Sequence, residues 1–423
     1  MIRWFSRHAW LIALIAVLCL FPQALTSQAR LNNRVLITGL AIDKVESGYE
    51  ITAQVVIPQG GSDPTGMSAN LDYITERGTS VVEGLKKIAY NIGKIAGLSH
   101  TNFIVIGSTM FDEVVTTNLD YFLREAQIPN SCMLLFSDGS AKDEIKKLGE
   151  LEISVGLGLQ KVFIYKQESL NSRMVSLQEF VNRAYSPSRA AVLPQLKILK
   201  EGEQDGASPS GAGSTEQSQG SVNSQSGEKN QSNGASQGRI DFFTPFAYFK
   251  NGSYKGKIEN QEEIIAYLLT QNNADRFDLV IDNVNDGEIY HNASVGLRVS
   301  KKHNYISVDF SSGKPVAKIS ITLSNIKLME VKNDGVSYEG SYTNLSPYEN
   351  QTLKKAIEKK IKDGINNVFE KTKAEGVDIF RISDVAYRFN NKNWNNYLLS
   401  LANIDDFLAN VDLTVDVKVK NFT

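Results

Sequence analysis

A long polar segment, Glu201 to Arg239, divides this sequence into two parts with regular hydrophobic patterns. It is dominated by Gly, Ser, Gln, Asn and Glu, and Val222 is its only aliphatic residue larger than Ala. Such a composition cannot bury enough apolar surface to offset the conformational entropy lost on folding. We therefore predict a disordered linker over 201–239, which as an unconstrained coil of about 39 residues would span about 34 Å. The regions 30–200 and 240–423 are predicted to fold on either side of it.

The first 29 residues have the pattern of an export signal. Arg3 and Arg7 precede an unbroken apolar run from Ala9 to Phe21, and Ser27 to Ala29 offers small residues for cleavage. The run is short against the roughly 20 apolar residues that span a bilayer. We predict a signal peptide over 1–29 and a folded part outside the cytoplasm. An uncleaved N-terminal anchor is the alternative.

The two cysteines argue against a lipid anchor and against a disulfide. Cys19 follows Leu18 inside the apolar run, whereas an acylated Cys follows a small residue, so no lipobox is present. Without the signal segment, Cys132 is the only cysteine left, and no intramolecular disulfide can form. Cys132 lies in an apolar run, 131–136, and is predicted to be a small buried hydrophobe.

The charge balance excludes one class of partner. The formal net charge is −2, and loss of the two Arg of the signal segment leaves 43 basic against 47 acidic side chains. A weakly acidic chain without a basic stripe is not expected to bind nucleic acid.

The first region alternates strand and helix patterns. A turn-rich stretch, 43–48, joins its first two strands as a hairpin. The helix from Val81 is capped by Thr79 or Ser80 and runs to Ile95 before Gly97 stops it. Further helices are expected between Ser154 and Ala184. The predicted elements are strands at 34–42, 49–57, 102–106 and 132–136, and helices at 81–95, 116–125 and 141–148.

The second region predicts a sheet with one long helix. Ser346 to Glu349 forms a capping box with Pro at the first helical position, and apolar residues then recur at four-residue steps up to Gly376. The opposite face of this helix is rich in Lys. Turn sequences such as Asn285 to Gly287 predict hairpins and hence an antiparallel sheet. The predicted strands are 242–250, 277–284, 289–300, 305–310, 316–326, 328–342 and a final one from Val411 to Val419.

We find no set of residues that predicts a catalytic, cofactor or metal site. His100 has no second His or Cys at ligand spacing, and we expect it to be hydrogen-bonded at the start of a buried strand. Asp120 and Arg124 are placed for an ion pair on a helix. Gly156 to Leu159 lacks the third glycine of a phosphate loop and is expected in a helix or turn. The acidic stretch 282–288 misses the spacing of a calcium loop, which favours a solvated hairpin turn.

An ordered series of motifs in the first region resembles GerAC-type spore germination proteins, the C subunits of nutrient germinant receptors. The series starts with Gly39 to Lys44 (GLAIDK) and Ala53 to Pro58 (AQVVIP). It continues with Gly78 to Val81 (GTSV), Leu98 to Gly107 (LSHTNFIVIG) and Asp120 to Glu125 (DYFLRE). Each motif alone is weak, and the resemblance rests on their order.

The second region carries the same resemblance. Phe249 to Gly252 (FKNG), followed by Gly256 and by Glu262 and Glu263, is similar to the entry of the family's C-terminal part. Asp378 to Phe380, Tyr387, Arg388 and Trp394 look like the segment after its long helix. The chain ends at Asn421 to Thr423 without the basic tail that we would expect. Because the family pattern runs on both sides of the linker, we interpret 201–239 as an expanded loop within one architecture.

The resemblance implies an α+β, multi-domain protein, with an N-terminal mixed α/β region and a C-terminal antiparallel sheet packed on a long helix. It further implies a non-enzymatic receptor subunit at the outer face of the spore inner membrane, whose partners are two integral membrane subunits of the A and B types. The Lys-rich face of the long helix is interpreted as a solvated face interspersed with acids, and attraction to an anionic membrane surface is the alternative. The alternatives are an exported solute-binding protein, a cell-wall-associated protein and an exported enzyme. The enzyme would need paired carboxylates, an activated nucleophile or a metal cluster.

Overall fold

The structure of the chain is a computed structural model. The predicted signal peptide and the linker up to residue 238 lie outside the residues that it describes. The described residues are 34–57, 70–93, 95–124, 128–150, 156–199, 239–241, 244–271, 276–333, 336–337, 346–403, 405–420 and 422.

The first region builds a six-stranded mixed sheet. Its antiparallel part is a meander of β1 (Arg34–Val45), β2 (Gly48–Ile57) and β3 (Asn70–Gly78). Its parallel part adds β4 (Ile95–Gly97) beside the start of β1, then β5 (Phe103–Gly107) and β6 (Met133–Ser137). The strand order is β3-β2-β1-β5-β6, so the carboxyl ends of β1, β5 and β6 share one edge.

Helices cover both faces of this sheet. Alternate residues of β5 and β6 belong to two different apolar clusters, because successive side chains of a strand point to opposite faces. One face packs on α3 (Ala141–Glu150) and α4 (Gly156–Glu168) through residues such as Ile145 and Phe163. The other packs on α1 (Val81–Ile92) and α2 (Val115–Arg124), for example through Leu85 and Phe122.

Two details of the first region differ from the sequence prediction. The helix predicted over 81–95 ends at Ile92, because Gly93 adopts a left-handed conformation (φ 65°) and its N–H bonds back to the last turn. The released residues form β4, and Ser80 is the N-cap. Strand β3 was not predicted, since its sequence NLDYITERG alternates weakly and is only partly buried at an edge of the sheet.

A small central unit joins the two regions across the linker. Helix α5 (Leu177–Ala184) leads into β7 (Ala190–Pro194), and β10 (Phe246–Lys250) and β11 (Ser253–Ile258) complete a sheet of order β11-β10-β7. The short β8 (Ile198–Leu199) pairs with β9 (Arg239–Ile240). Leu199 lies directly opposite Arg239, so the linker leaves and re-enters the fold at hydrogen-bonded neighbours rather than some 34 Å apart. The limits 30–200, 201–239 and 240–423 stay predictions.

The second region is a five-stranded sheet packed on one side. It contains β12 (Phe277–Val284), β13 (Ala293–Asp309), β14 (Val316–Asn333), β15 (Val336–Ser337) and β16 (Asp412–Val419). Strand β12 buries every second residue over most of its length, as a sheet with one solvated face requires. Helices α6 (Gln261–Thr270) and α7 (Pro347–Ala374) pack against it.

The strands of this sheet are longer than predicted. The predicted strands 289–300 and 305–310 are largely one strand, β13. The predicted strands 316–326 and 328–342 are largely one strand, β14. The two strands pair with each other along almost their whole length. Asn325 has a positive φ of 52°, yet pairing continues on either side of it. The sheet is also not purely antiparallel, since β16 runs parallel to β14.

The long helix α7 confirms the predicted capping signal. Ser346 accepts from the N–H of Glu349, and the Glu349 carboxylate accepts from the N–H of Ser346. Its Lys-rich face is partly used inside the fold, where Lys360 and Lys371 pair with Glu262 and Glu263 of α6. Three shorter helices follow: α8 (Ile382–Phe389), α9 (Asn391–Leu398) and α10 (Asp406–Ala409). Within the described ranges, no helix is long and apolar enough to cross a membrane. The predicted α+β class is confirmed.

Candidate functional site

The two halves of the chain meet at a continuous apolar and hydrogen-bonded seam. Strand β7, before the linker, pairs with β10, after it. The ring of Phe111 stacks on Tyr254 at 4.4 Å between centroids and contacts Phe249 edge-on at 5.5 Å. Phe180 of α5 meets Phe249 at 5.3 Å. These contacts place both halves in one packed body.

A cavity of about 410 Å³ opens at this seam. Its wall contains Ser137 to Gly139 at the carboxyl end of β6, Gln195 to Lys197 just before the linker, and Asp241 just after it. Ligands of α/β proteins bind outside the carboxyl ends of parallel strands, and pockets favour boundaries between folded units. This cavity is therefore the candidate binding site among the described residues.

Two acidic residues of the cavity already have partners. The Asp138 carboxylate accepts from Gln195 Nε2 at 2.8 Å and from Lys257 Nζ at 2.5 Å. The Glu144 carboxylate accepts from Lys147 Nζ at 2.7 Å and from the N–H of Ile198 at 3.2 Å. Through these bonds both residues hold the wall of the cavity together.

Asp241 differs from these two residues. It is only 4% exposed, and its Oδ1 accepts no hydrogen bond from the residues that the structure describes. Lys197 Nζ lies 3.6 Å from its other oxygen, Oδ2. That distance exceeds a hydrogen bond. A buried carboxylate oxygen without a donor is unfavourable, and a ligand carrying an N–H or O–H group would satisfy it.

A buried lysine fixes the position of Asp241. Lys166 of α4 is 6% exposed, and its Nζ donates to the backbone carbonyl of Asp241 and, at 3.1 Å, to Thr244 Oγ1. Its ammonium also lies 5.2 Å from the centre of the Phe163 ring. Lys166 thus ties the chain that follows the linker to the first region.

Buried aspartates cap the start of α8. Asp378 accepts the N–H groups of Ile382 at 2.9 Å and Ser383 at 2.7 Å. Burial raises the pKa of Asp378 to about 6, although these two bonds lower it. Asp384 accepts from Arg381 Nε at 2.7 Å and from the N–H of Ser188 at 2.9 Å. The second contact joins α8 to the chain before the linker.

The residues weighed as candidate sites from the sequence do not come together. His100 is exposed on a single turn of 3₁₀ helix that precedes the buried strand β5, which corrects the expectation that it is hydrogen-bonded at the start of that strand. Cys132 is buried as predicted, and burial raises the pKa of its thiol. Asp120 and Arg124 form the predicted ion pair. Gly156 to Leu159 is the first turn of α4.

The acidic turn at 282–288 is held by its own backbone. Asp286 Oδ1 accepts the N–H groups of Glu288, Ile289 and Tyr290. Within the described part of the chain, no group of three or more His, Cys, Asp or Glu side chains is placed to hold a metal ion.

Sequence reasoning missed the polar residues of the seam. Lys166 and Asp241 lie 75 positions apart with the linker between them, so no local pattern connects them. The local sequence gives no signal for Lys166 either, because it follows the apolar pair Ile164 and Tyr165 on a helix without a defined hydrophobic side. Such a position does not tell whether the Lys faces solvent or the interior.

Two family profiles match this chain, one on each side of the linker. The profile described as "Spore germination protein N-terminal domain" matches residues 27–198. The profile described as "Spore germination B3/ GerAC like, C-terminal" matches residues 245–422. Together the matches cover most of the chain, and the chain belongs to the GerAC-like family of spore germination proteins. The predicted family is confirmed.

Individual relatives are more distant. YfkR of Bacillus subtilis (strain 168), named as a candidate spore germination protein, is 23% identical over 142 residues, which cover 32% of this chain and 37% of YfkR. The chain thus matches little more than a third of that relative. The crystal structure of the GerBC protein aligns with 90% of this chain and 97% of its own, at 18% identity and a TM-score of 0.47. The fold described above rests on the contacts of this chain itself.

Proposed function

We propose that this chain is a non-enzymatic subunit of a spore nutrient germinant receptor. In this proposal it works at the outer face of the spore inner membrane with two integral membrane subunits, and together they trigger germination. The observation that carries the proposal is the match of both family profiles, one on each side of the linker, to a body that packs as one unit. Both parts that the family profiles describe are therefore present and joined.

The chemistry of the described side chains supports a role without catalysis. The buried carboxylates Asp43, Asp378 and Asp384 accept backbone N–H groups, and Cys132 is buried with a raised thiol pKa. A general base or nucleophile needs access to a substrate and a pKa suited to its task. These groups act in the fold instead.

Attachment to the membrane is proposed to come from the N-terminus or from the partners. The sequence offers an apolar N-terminal run without a lipobox. Retention then depends on an uncleaved signal helix, on contact with the membrane subunits, or on both. A mature N-terminus that begins near residue 30 would leave retention to the partners alone.

A gene deletion tests this role in spores. Loss of the chain should abolish germination in response to at least one nutrient, while a trigger that bypasses nutrient sensing should still work. Expression of the chain from a second locus should restore the response. Normal responses of the deletion strain to every nutrient that the parent strain senses would contradict the proposal.

The cavity favours a second candidate function, that of an exported solute-binding protein. Its volume and the unsatisfied Asp241 oxygen are suited to a small polar solute. Calorimetry of the purified chain with small amines and sugars, for the wild type and for Asp241→Asn, would detect such binding. Glu259→Gln is the matched control, since Glu259 lines the same cavity with a 60% exposed side chain that pairs with Lys257. Tight binding by the isolated chain that only Asp241→Asn removes would favour the solute-binding function.

A further inference from the structure

Two buried arginines share one carboxylate oxygen in the core of the central unit. Arg173 precedes α5 and Arg183 lies near its end, and the side chain of each is 7% exposed. The guanidinium of Arg183 donates to Glu179 Oε1 at 2.9 Å, and that of Arg173 donates to the same atom. Two cations therefore converge on a single anion.

Among the described residues, Glu179 is the only acidic side chain that forms an ion pair with Arg173 or Arg183. Arg381 also lies near enough to act on Arg183, but its own charge is matched by Asp384, 2.7 Å from its Nε. The cluster of Arg173, Arg183 and Glu179 is left with one excess positive charge. Burial, and then the neighbouring Arg173, lower the pKa of Arg183, as expected for a cation short of counter-charge. Removal of a charge from water is unfavourable unless a partner compensates it.

The same cluster has donors that lack acceptors. Arg173 Nε and Nη1 and Arg183 Nε are buried and donate to no atom in the described part of the chain. The hydroxyls of Ser172, beside Arg173, and of Tyr267 on α6 are likewise buried without a partner. Each unsatisfied buried donor is unfavourable. A water molecule would accept from such donors but would add no negative charge.

We infer that Arg173 and Arg183 form, with Glu179, a binding site for a small inorganic anion. An anion supplies both things that the cluster lacks, namely a negative charge and several acceptor lone pairs. Guanidinium groups are well suited to this task, because their planar N–H forks stay charged and bind anions in fixed geometry. This inference goes beyond the proposed receptor role and does not depend on it.

The position of the site gives the anion a structural consequence. Arg173 and Arg183 belong to the chain before the linker, whereas Tyr267 and Arg381 come from the chain after it. A bound anion would therefore stabilise the seam at which the two halves pack. Its occupancy should change the stability of the whole body rather than that of one loop.

Thermal unfolding of the purified full chain tests the site. Melting is followed in sodium chloride, in sodium phosphate and in sodium gluconate, at equal ionic strength so that screening is the same. Gluconate serves as a bulky organic reference anion. We expect chloride or phosphate to raise the melting temperature in a saturable manner relative to gluconate.

Two variants with opposite effects make the test specific. Arg173→Gln removes the excess charge and should weaken anion binding by about tenfold or more, so that the three salts become equivalent. Glu179→Gln increases the excess charge and should strengthen the anion dependence. Arg298→Gln, which alters only an exposed ion pair with Asp278, should behave like the wild type.

The inference would be overturned by either of two results. One is an equal melting temperature of the wild type in chloride, phosphate and gluconate. The other is an anion effect that persists unchanged in both Arg173→Gln and Glu179→Gln. If Arg173→Gln does not fold, Glu179→Gln alone tests the site. A stronger dependence of its melting temperature on the anion supports the inference, and an unchanged or weaker dependence overturns it.

Discussion

Several residues that carry the family resemblance serve the fold at the level of single contacts. Asp43 of the GLAIDK motif accepts the N–H groups of Ala141 and Lys142 at the start of α3. Gly39 leaves room for the ring of Phe103 on the next strand, since a Cβ there would lie 2.2 Å from that ring. Asp378 of the DIF motif caps α8 in the same manner as Asp43 caps α3. These roles explain the motifs without a catalytic site.

The raised pKa of Asp378 predicts that the free energy of unfolding depends on pH. Its pKa is raised from 3.8 to about 6 by burial, so the folded state keeps a proton that the unfolded state has lost between these values. The free energy of unfolding should therefore fall as pH rises through this window, by on the order of 3 kcal/mol from this group. Above about pH 6 its contribution stays constant.

The measurement compares denaturant unfolding of the wild type and of Asp378→Asn from pH 4 to 7. Asn keeps an acceptor for one backbone N–H but does not titrate. The difference in unfolding free energy between the two proteins should change with pH in favour of the wild type on acidification. A pH-independent difference would show that Asp378 has an ordinary pKa.

Gly107 packs so closely against Asp43 that a larger side chain should destabilise the fold. A Cβ at this position would lie 2.0 Å from Asp43 Oδ1, the atom that accepts from Ala141. Gly107→Ala should displace this carboxylate and lower the free energy of unfolding by about 1–3 kcal/mol. Gly139→Ala is the matched control, because a Cβ there meets no atom within 4 Å. Equal stabilities of the two variants in urea unfolding would contradict this role of Gly107.

At the scale of elements, α7 depends on its first turn. The capping box of Ser346 and Glu349 satisfies N–H groups that have no partner within the helix. Ser346→Ala should lower the free energy of unfolding by about 1 kcal/mol. A double-mutant cycle with Glu349→Ala, followed by urea unfolding, should show that the two losses do not add. Strict additivity would mean that the two side chains act independently.

Elements with a complete local signal were predictable from the sequence. Helix α7 has its cap, its apolar repeat and its stop at Gly376, and it was placed correctly. Strand β3 and the end of α1 were missed, because a partly exposed edge strand and a left-handed Gly93 depend on pairing that the sequence does not display. The parallel alignment of β16 with β14 was also beyond local patterns, since it is set by where α7 to α10 return the chain.

The candidate sites were less predictable than the elements. The burial of four polar residues is decided by contacts between distant parts of the chain. These residues are Lys166, Arg173, Arg183 and Asp241. The sequence correctly predicted a buried Cys132, but it placed His100 at the start of the buried strand rather than on the exposed turn before it. A short apolar run favours a buried strand, whereas nothing local shows that the residues before it form an exposed turn.

At the scale of the molecule, the linker is the loop of a short hairpin. Because Leu199 pairs with Arg239, a connection of about eight residues in place of 200–238 should close β8 and β9 without strain. Loop-closure entropy then predicts a gain of about 1.4 kcal/mol in the free energy of unfolding. Urea unfolding of the shortened and the full chain measures it. Failure of the shortened chain to fold would mean that the linker contributes contacts to the body.

We propose that this body acts as a receptor subunit beside membrane proteins. Affinity purification of the tagged chain from detergent-solubilised spore membranes would reveal such partners. We predict that two integral membrane proteins of the A and B types co-purify with the chain, and that both are lost when the tag is on an unrelated exported protein. Recovery of the chain from the soluble fraction, or from membranes without either partner, would contradict the claim.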